Sequence, residues 1–202
     1  MPLAANRGSS VSSDLGDEKG QSLRGRAARW YVIQVATGKE DAMCDLICRV
    51  APEGVVEECF SPSYDTQRKV KGVWLNARKP LLPGYLIAVT SRVEELERVC
   101  RRVPEFARLL TLGETFVPLR EEDQAWIGAF TSRGERSIPM SVGVMEGDRV
   151  LVLSGPLVGR EALIKSVNRH KSLAFVEFEI CGRKVTTKVG LGIVRKRRSE
   201  KD

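Results

Sequence analysis

EGDRVLVLSGPLVGREALIKSVNRHK, residues 146–171, is the stretch on which the reading of this chain turns. An acidic turn, Glu146-Gly147-Asp148, leads into residues 149–153, whose aliphatic and β-branched run predicts a short strand. Ser154-Gly155-Pro156 must then turn, because glycine reaches dihedrals other residues avoid and proline fixes φ. Gly159 stands where a side chain would crowd a close backbone approach. Alternation predicts further strands over 161–167, 173–180 and 185–189. The basic turn Asn168-Arg169-His170-Lys171 and the turn Cys181-Gly182-Arg183-Lys184 separate them. Short strands joined by Gly-bearing turns at this spacing predict a small β-barrel.

Working outward, the chain before the barrel reads differently. Trp30-Tyr31-Val32-Ile33-Gln34-Val35 is an aromatic and β-branched strand. Thr37 and Glu40 stand in capping-box spacing, so a helix is expected to about Val50 with Met43, Leu46, Ile47 and Val50 as its apolar stripe. Strands are expected over 55–61, 83–89 and 106–110, a basic hairpin arm over 64–77, and helices over 94–103 and 119–130. The order β-α-β-β-β-α-β-α predicts an antiparallel sheet with helices packed on it, so the fold class is α+β. Residues 133–141 lack an apolar period and read as a linker. The expected division is therefore a disordered tail at 1–29, a first domain at 30–132, the linker, a barrel at 142–198 and a short tail at 199–202. Residues 1–29 hold too few apolar groups to offset ordering entropy.

Composition narrows the function. In 202 residues the net charge is +7 and the sequence pI about 9.3, which favours a polyanionic partner. From Ser141 onward there are 13 Lys and Arg against 7 Asp and Glu, so most of the excess sits in the last third. No apolar run approaches the roughly 20 residues that span a bilayer, and residues 1–29 have no apolar signal-peptide core, so a cytoplasmic protein is expected. Cys44, Cys48, Cys59, Cys100 and Cys181 form no C-x-x-C pair, and His170 is the single histidine. These cysteines are expected to be reduced, buried thiols, with no metal and no cofactor. Neither a phosphate loop nor a triad can be assembled, so no enzyme activity is expected.

The barrel stretch resembles the KOW motif, a signature of SH3-like barrels in transcription and ribosomal proteins, through Gly147-Asp148, Ser154-Gly155-Pro156 and Gly159. The region before it looks like the NGN domain of NusG-type elongation factors. That likeness rests on Arg29-Trp30-Tyr31-Val32, Thr37-Gly38-Lys39-Glu40, Leu82-Pro83-Gly84-Tyr85, Val103-Pro104, Leu112-Gly113 and Val117-Pro118-Leu119. Together the two cover roughly 170 residues in the right order. Within the family the chain is most similar to the LoaP branch of specialised antiterminators, through Glu146-Gly147-Asp148, Gly159-Arg160-Glu161, Arg169-His170-Lys171 and Gly182-Arg183.

The resemblance implies that the first domain docks an apolar concave face on the clamp helices of bacterial RNA polymerase. Leu82 and Tyr85 match positions of that face, and Trp30, Tyr31 and Gln34 are the strand residues assigned to it. Leu82 departs from the family's usual Phe, which removes aromatic stacking but keeps apolar contact. On the barrel, Arg160, Lys165, Asn168, Arg169, His170, Lys171, Arg183 and Lys184 concentrate near turns, a pattern suited to phosphate and RNA shape. The expected activity is processive antitermination by a monomer bound to polymerase and to a nascent RNA hairpin. Two alternatives stay open at this point. One is a housekeeping NusG bridging to the ribosome or Rho, whose barrel has Gly-Pro-Phe where this chain has Gly155-Pro156-Leu157. The other is an RNA-binding or ribosome-assembly protein without polymerase contact.

Overall fold

A computed structural model describes residues 27–194. The predicted N-terminal tail up to residue 26, the basic run Arg195-Lys196-Arg197-Arg198 and the tail at 199–202 lie outside the described residues. Arg29, assigned to that tail from sequence, begins the first strand and pairs with Thr90.

The first domain is a four-stranded antiparallel sheet in the order β2-β5-β1-β6. Its strands are β1 (Arg29–Val35), β2 (Glu58–Phe60), β5 (Tyr85–Thr90) and β6 (Ala107–Leu109). Helices α1 (Glu40–Val50) and α2 (Val93–Arg102) cover one face. Strand period decides the rest: Tyr31, Ile33 and Val35 join Met43, Ile47, Leu96 and Val99 in a core beneath the two helices. Val32 points the other way, into a second core. In α2, Glu94 and Glu95 open the helix and Arg101 and Arg102 close it, each charge matched to its end of the dipole.

The expected capping box at α1 does not form. Lys39 is the N-cap and no side chain caps the helix. Glu40 turns instead to the next loop, where its Oε1 accepts from Gly84 N at 2.7 Å. Gly84 has φ +80°, and a Cβ there would stand 2.9 Å from Thr37 Oγ1. The Leu82-Pro83-Gly84-Tyr85 turn is thus pinned to the start of α1 by a buried carboxylate.

The basic arm is a hairpin of β3 (Ser63–Val70) and β4 (Val73–Pro80), closed by Lys71 and Gly72 with φ of 48° and 87°. Positive φ at both central residues marks a type I′ turn, whose twist suits paired strands. A small β7/β8 hairpin (Thr111–Leu112, Thr115–Phe116) and α3 (Glu121–Phe130) complete the domain. Residues 133–141 are not a loose tether. β9 (Ser137–Ile138) pairs in parallel with β3, and Ile138 is buried. Arg136 forms a two-point pair with Glu58, at 2.5 and 3.0 Å, with its guanidinium over the Trp30 and Phe60 rings at 5.2 and 4.7 Å.

The second domain is a five-stranded sheet in the order β11-β10-β14-β13-β12. Its strands are β10 (Ser141–Glu146), β11 (Arg149–Ser154), β12 (Ile164–Asn168), β13 (Leu173–Ile180) and β14 (Arg183–Ile193). Bulges at Val142/Gly143 and Ile164/Ser166 bend it. Three sequence expectations shift. Residues Glu161–Leu163 form a 3-10 turn, so the strand expected over 161–167 starts at Ile164. The fourth strand runs to Ile193 because it gains β10 as a parallel partner. β10 itself, whose first residue was assigned to the linker, was not anticipated. The mixed α+β architecture, with an NGN-like domain followed by an SH3-like KOW barrel, is as expected from sequence.

The barrel sits on the first domain. Leu81, Leu82, Leu119 and Trp126 share one buried core with Val152, Leu157, Ile180 and Leu191. Trp126 Nε1 donates to Pro156 O at 2.8 Å, Thr187 Oγ1 donates to Leu81 O, and Arg120 pairs with Glu179 at 3.6 Å. β14 lies against β3 so closely that a Cβ at Gly190 would fall 2.1 Å from Asp65 O.

Candidate functional site

The residues assigned to polymerase docking divide between two faces. Trp30 lies on the side of β1 facing the barrel and meets Phe60 edge-on at 5.3 Å. Gln34 follows on the same side by strand period and is paired with Tyr85 in the β1/β5 register. Tyr85 and Trp30 are half-buried against the shared core, and Leu82 is 4% exposed within it. Tyr31 belongs elsewhere: it is buried beneath α1 and α2. A shift of one residue in a strand reverses the face, so Tyr31 cannot act together with Trp30 and Gln34.

The side of the sheet that carries Trp30, Gln34, Leu82 and Tyr85 is therefore covered. Leu82, Leu81 and Trp126 are sealed by the barrel rather than by solvent. Leu157, at the turn where a bridging barrel would show Phe, is 1% exposed in the same core. Arg160 has its guanidinium 5.8 Å from the Trp126 ring centroid, so one residue assigned to RNA lies at the edge of the domain contact.

The remaining basic residues fall into two groups. Asn168 Oδ1 accepts from Lys171 N at 3.0 Å, closing a 3-10 turn that holds Arg169, His170 and Lys171 outward and exposed. Ser172 ends the turn in the left-handed region at φ 50°. Arg183 and Lys184 begin β14 at the far end of β13, seven strand steps or about 23 Å away. Lys165 and Lys184 both approach Glu177 Oε1, at 3.6 and 3.4 Å, which partly neutralises that group. The turn at 168–171 is thus the less compensated of the two.

Sequence reasoning left the arm unassigned. The β3–β4 hairpin, turn included, carries Arg68, Lys69, Lys71, Arg78 and Lys79 against one acid, Asp65, and exposes Val73, Trp74 and Leu75. The 168–171 turn packs beside β3, so two basic segments about 100 residues apart adjoin. The hairpin and its basic character were visible in sequence, but nothing local signalled that the barrel would lie beside them.

Comparison with known proteins agrees with this architecture. Residues 28–127 match the family described as transcription termination factor nusG, and residues 146–178 match the KOW motif. A transcription termination/antitermination protein NusG from Thermus thermophilus is 26% identical over 179 residues, covering 83% of this chain and 97% of that protein. Its counterpart from Campylobacter jejuni is 23% identical over 166 residues, covering 80% and 93%. A solved structure of Thermotoga maritima NusG, described for its domain interaction, superposes with a TM-score of 0.53 at 22% identity over 82% of this chain and 93% of that one. With NGN and KOW domains in the same order and over nearly the full length of these relatives, the chain belongs to the NusG family of transcription factors.

Proposed function

We propose that this chain is a cytoplasmic elongation factor acting as a processive antiterminator, closest to the LoaP branch. It docks on the clamp helices of RNA polymerase through Trp30, Gln34, Leu82 and Tyr85, and binds a nascent RNA hairpin through the barrel. Holding both on one complex raises their effective concentration, so a weak RNA contact becomes selective for one transcript. The observation that carries the RNA arm is the ordered turn at 168–171. Three consecutive exposed side chains, Arg169, His170 and Lys171, stand beside the basic β3 strand with no acid among them. Phosphate contacts from such a turn release counterions, so affinity falls steeply with salt.

A housekeeping NusG is the second reading, favoured by likeness that runs through general NusG proteins. The two separate on RNA. In the antiterminator reading, the full chain binds a structured hairpin more tightly than single-stranded RNA or duplex DNA. Arg169→Ala with Lys171→Ala weakens that binding and flattens its salt slope by roughly one to two counterions. Equal, weak binding of all three nucleic acids would leave the housekeeping reading. Polymerase docking is tested with Leu82→Asp, which places an unpaired charge in the apolar face. Retained polymerase capture by this variant, with a native circular dichroism spectrum, would remove Leu82 from the docking surface.

A further inference from the structure

Three of the five cysteines meet away from both candidate surfaces. Cys44 and Cys48 stand one turn apart on α1, and β2 brings Cys59 across to them. Cys59 Sγ donates to Cys44 Sγ at 3.7 Å, and Cys44, Cys48 and Cys59 all line one cleft. Among the described residues all five thiols are free. The expectation that each is buried fails at Cys48, which is exposed at a cleft, and at Cys59, which is half-buried on the same cleft.

We propose that Cys48 is a hydroperoxide-reactive cysteine that Cys59 resolves, closing a disulfide that staples α1 to β2. The Cys48 thiolate attacks the peroxide, the O–O bond breaks, and sulfenic acid and hydroxide form. The Cys59 thiol then attacks the sulfenic sulfur, the S–S bond forms and water leaves. In sum, two thiols and one hydrogen peroxide give one disulfide and two waters. The two sulfurs lose the two electrons that the peroxide gains.

The geometry separates the roles. The Cys59 hydrogen bond pulls the Cys48 thiol down from 9.0 to about 7, against burial and the nearby Asp45, so at neutral pH a large share is thiolate. Cys59 is pushed well above the usual range by Cys44 and Cys48 and by burial, so it is the less reactive of the pair toward peroxide and gives up its proton, to the departing hydroxide, only in the resolving step. Cys100 and Cys181 are buried and lie outside the cleft that Cys48 shares with Cys59, and burial also raises both thiols, Cys100 to about 12. Cys44 is a worse resolving partner than Cys59. Helical neighbours four apart hold their Cβ atoms about 5–6 Å apart, beyond the roughly 3.5–4.5 Å of a disulfide. Cys59 is also flanked by Glu58 and Phe60, the two β2 residues that clamp Arg136. The bond would therefore fix the strand that anchors the segment leading into the barrel.

The test oxidises the full chain with stoichiometric hydrogen peroxide and maps it without reduction after combined cleavage at Lys, Arg and Asp. That cleavage places Cys44 in fragment 41–44 and Cys48 in fragment 45–49. The expected product joins 45–49 to the Cys59 fragment with loss of two hydrogens, leaving Cys100 and Cys181 as thiols. In Cys59→Ser, dimedone should trap a sulfenic acid at Cys48, and in Cys48→Ser, oxidation of Cys59 should slow at least roughly tenfold. A main product linking Cys44 to Cys59, or wild-type oxidation rates in Cys48→Ser, overturns the proposal. Because a variant can misfold, a brief iodoacetamide pulse on the native wild-type chain gives a second measurement. Cys48 should be alkylated roughly tenfold faster than any other cysteine, and equal labelling overturns its assignment as the reactive thiol.

Discussion

Gly190→Ala should loosen the barrel from the first domain. Gly190 sits in β14 at an ordinary φ, so alanine adds no backbone strain of its own. The added methyl would stand 2.1 Å from Asp65 O and 2.5 Å from Met140 Cγ. Against Asp65 O that is about 1.3 Å short of ordinary contact, and the obstacle is backbone, which no rotamer change relieves. β14 cannot easily retreat within the barrel, since it is paired with β13 along its length and with β10 on the other side. The least costly response is separation of β14 from β3. This would stretch the Thr187–Leu81 and Trp126–Pro156 hydrogen bonds and wet the shared core. Overpacking of this kind costs about 1–3 kcal/mol, which shifts a closed-to-open equilibrium by roughly 5- to 150-fold.

The assay is backbone amide NMR of the full chain, with small-angle scattering for overall dimensions. In Gly190→Ala the signals of Leu81, Leu82, Tyr85 and Thr187 should move toward those of a chain cut within residues 133–136, and the radius of gyration should grow. Wild-type positions at all four amides with unchanged scattering would refute the contact between β14 and β3. A lower melting temperature with those amides unmoved would also refute it, because the strain would then be absorbed inside the barrel.

Trp126→Phe keeps an aromatic group but shrinks the buried indole and removes the donor to Pro156 O, and should lower stability by about 1–3 kcal/mol in chemical denaturation. Thr66 Oγ1 is buried without a hydrogen-bond partner, so Thr66→Val should raise stability by about 1 kcal/mol by the same measurement. Burial pushes the Glu58 carboxyl up, but hydrogen bonds from Arg136 and Gly134 N outweigh it and hold the carboxyl below its ordinary 4.5. Its contribution is therefore complete above about pH 4.5 and lost as pH falls through the depressed value. The melting-temperature gap between wild type and Glu58→Gln should then be largest near neutrality and close on acidification.

Much of this was legible because it is local. Helix spacing found the α1 and α2 stripes, the basic arm was expected as a hairpin over 64–77, and the basic turn at 168–171 was expected where it stands. The docking residues placed on β1, by contrast, included Tyr31, which strand period sends to the other face. What stayed hidden depends on distant parts of the chain. Glu40 had the spacing of a capping box, but the amide of Gly84, 44 residues on, offered a buried donor that won. β10 escaped because its Gly143 interrupts the alternation and its partners, β11 and β14, lie on opposite sides. The cysteines four apart suggested one helix face, but only the fold brought Cys59 to them. The glycine read as a close backbone approach, Gly159, has open space around its Cβ position and is required instead by its φ of +71°; the close approach is at Gly190, beyond the strand expected over 185–189.

The shared core also constrains how the proposed docking could work. Leu82 and Leu157 are buried in one cluster, so a partner that needs Leu82 must first displace the barrel. The affinity such a partner shows is its intrinsic affinity reduced by the fraction of chains already open. Burying one leucine contributes about 1.5–3 kcal/mol, so the contact can hold the open fraction low without preventing release. Gly190→Ala alters no proposed docking residue and changes only that fraction. If docking uses Leu82, Trp30 and Tyr85, this variant should bind polymerase more tightly, by the same factor by which NMR shows it to be opened. The ceiling is the point where the open form dominates. An opened Gly190→Ala with wild-type polymerase affinity would place the docking surface outside the area the barrel covers.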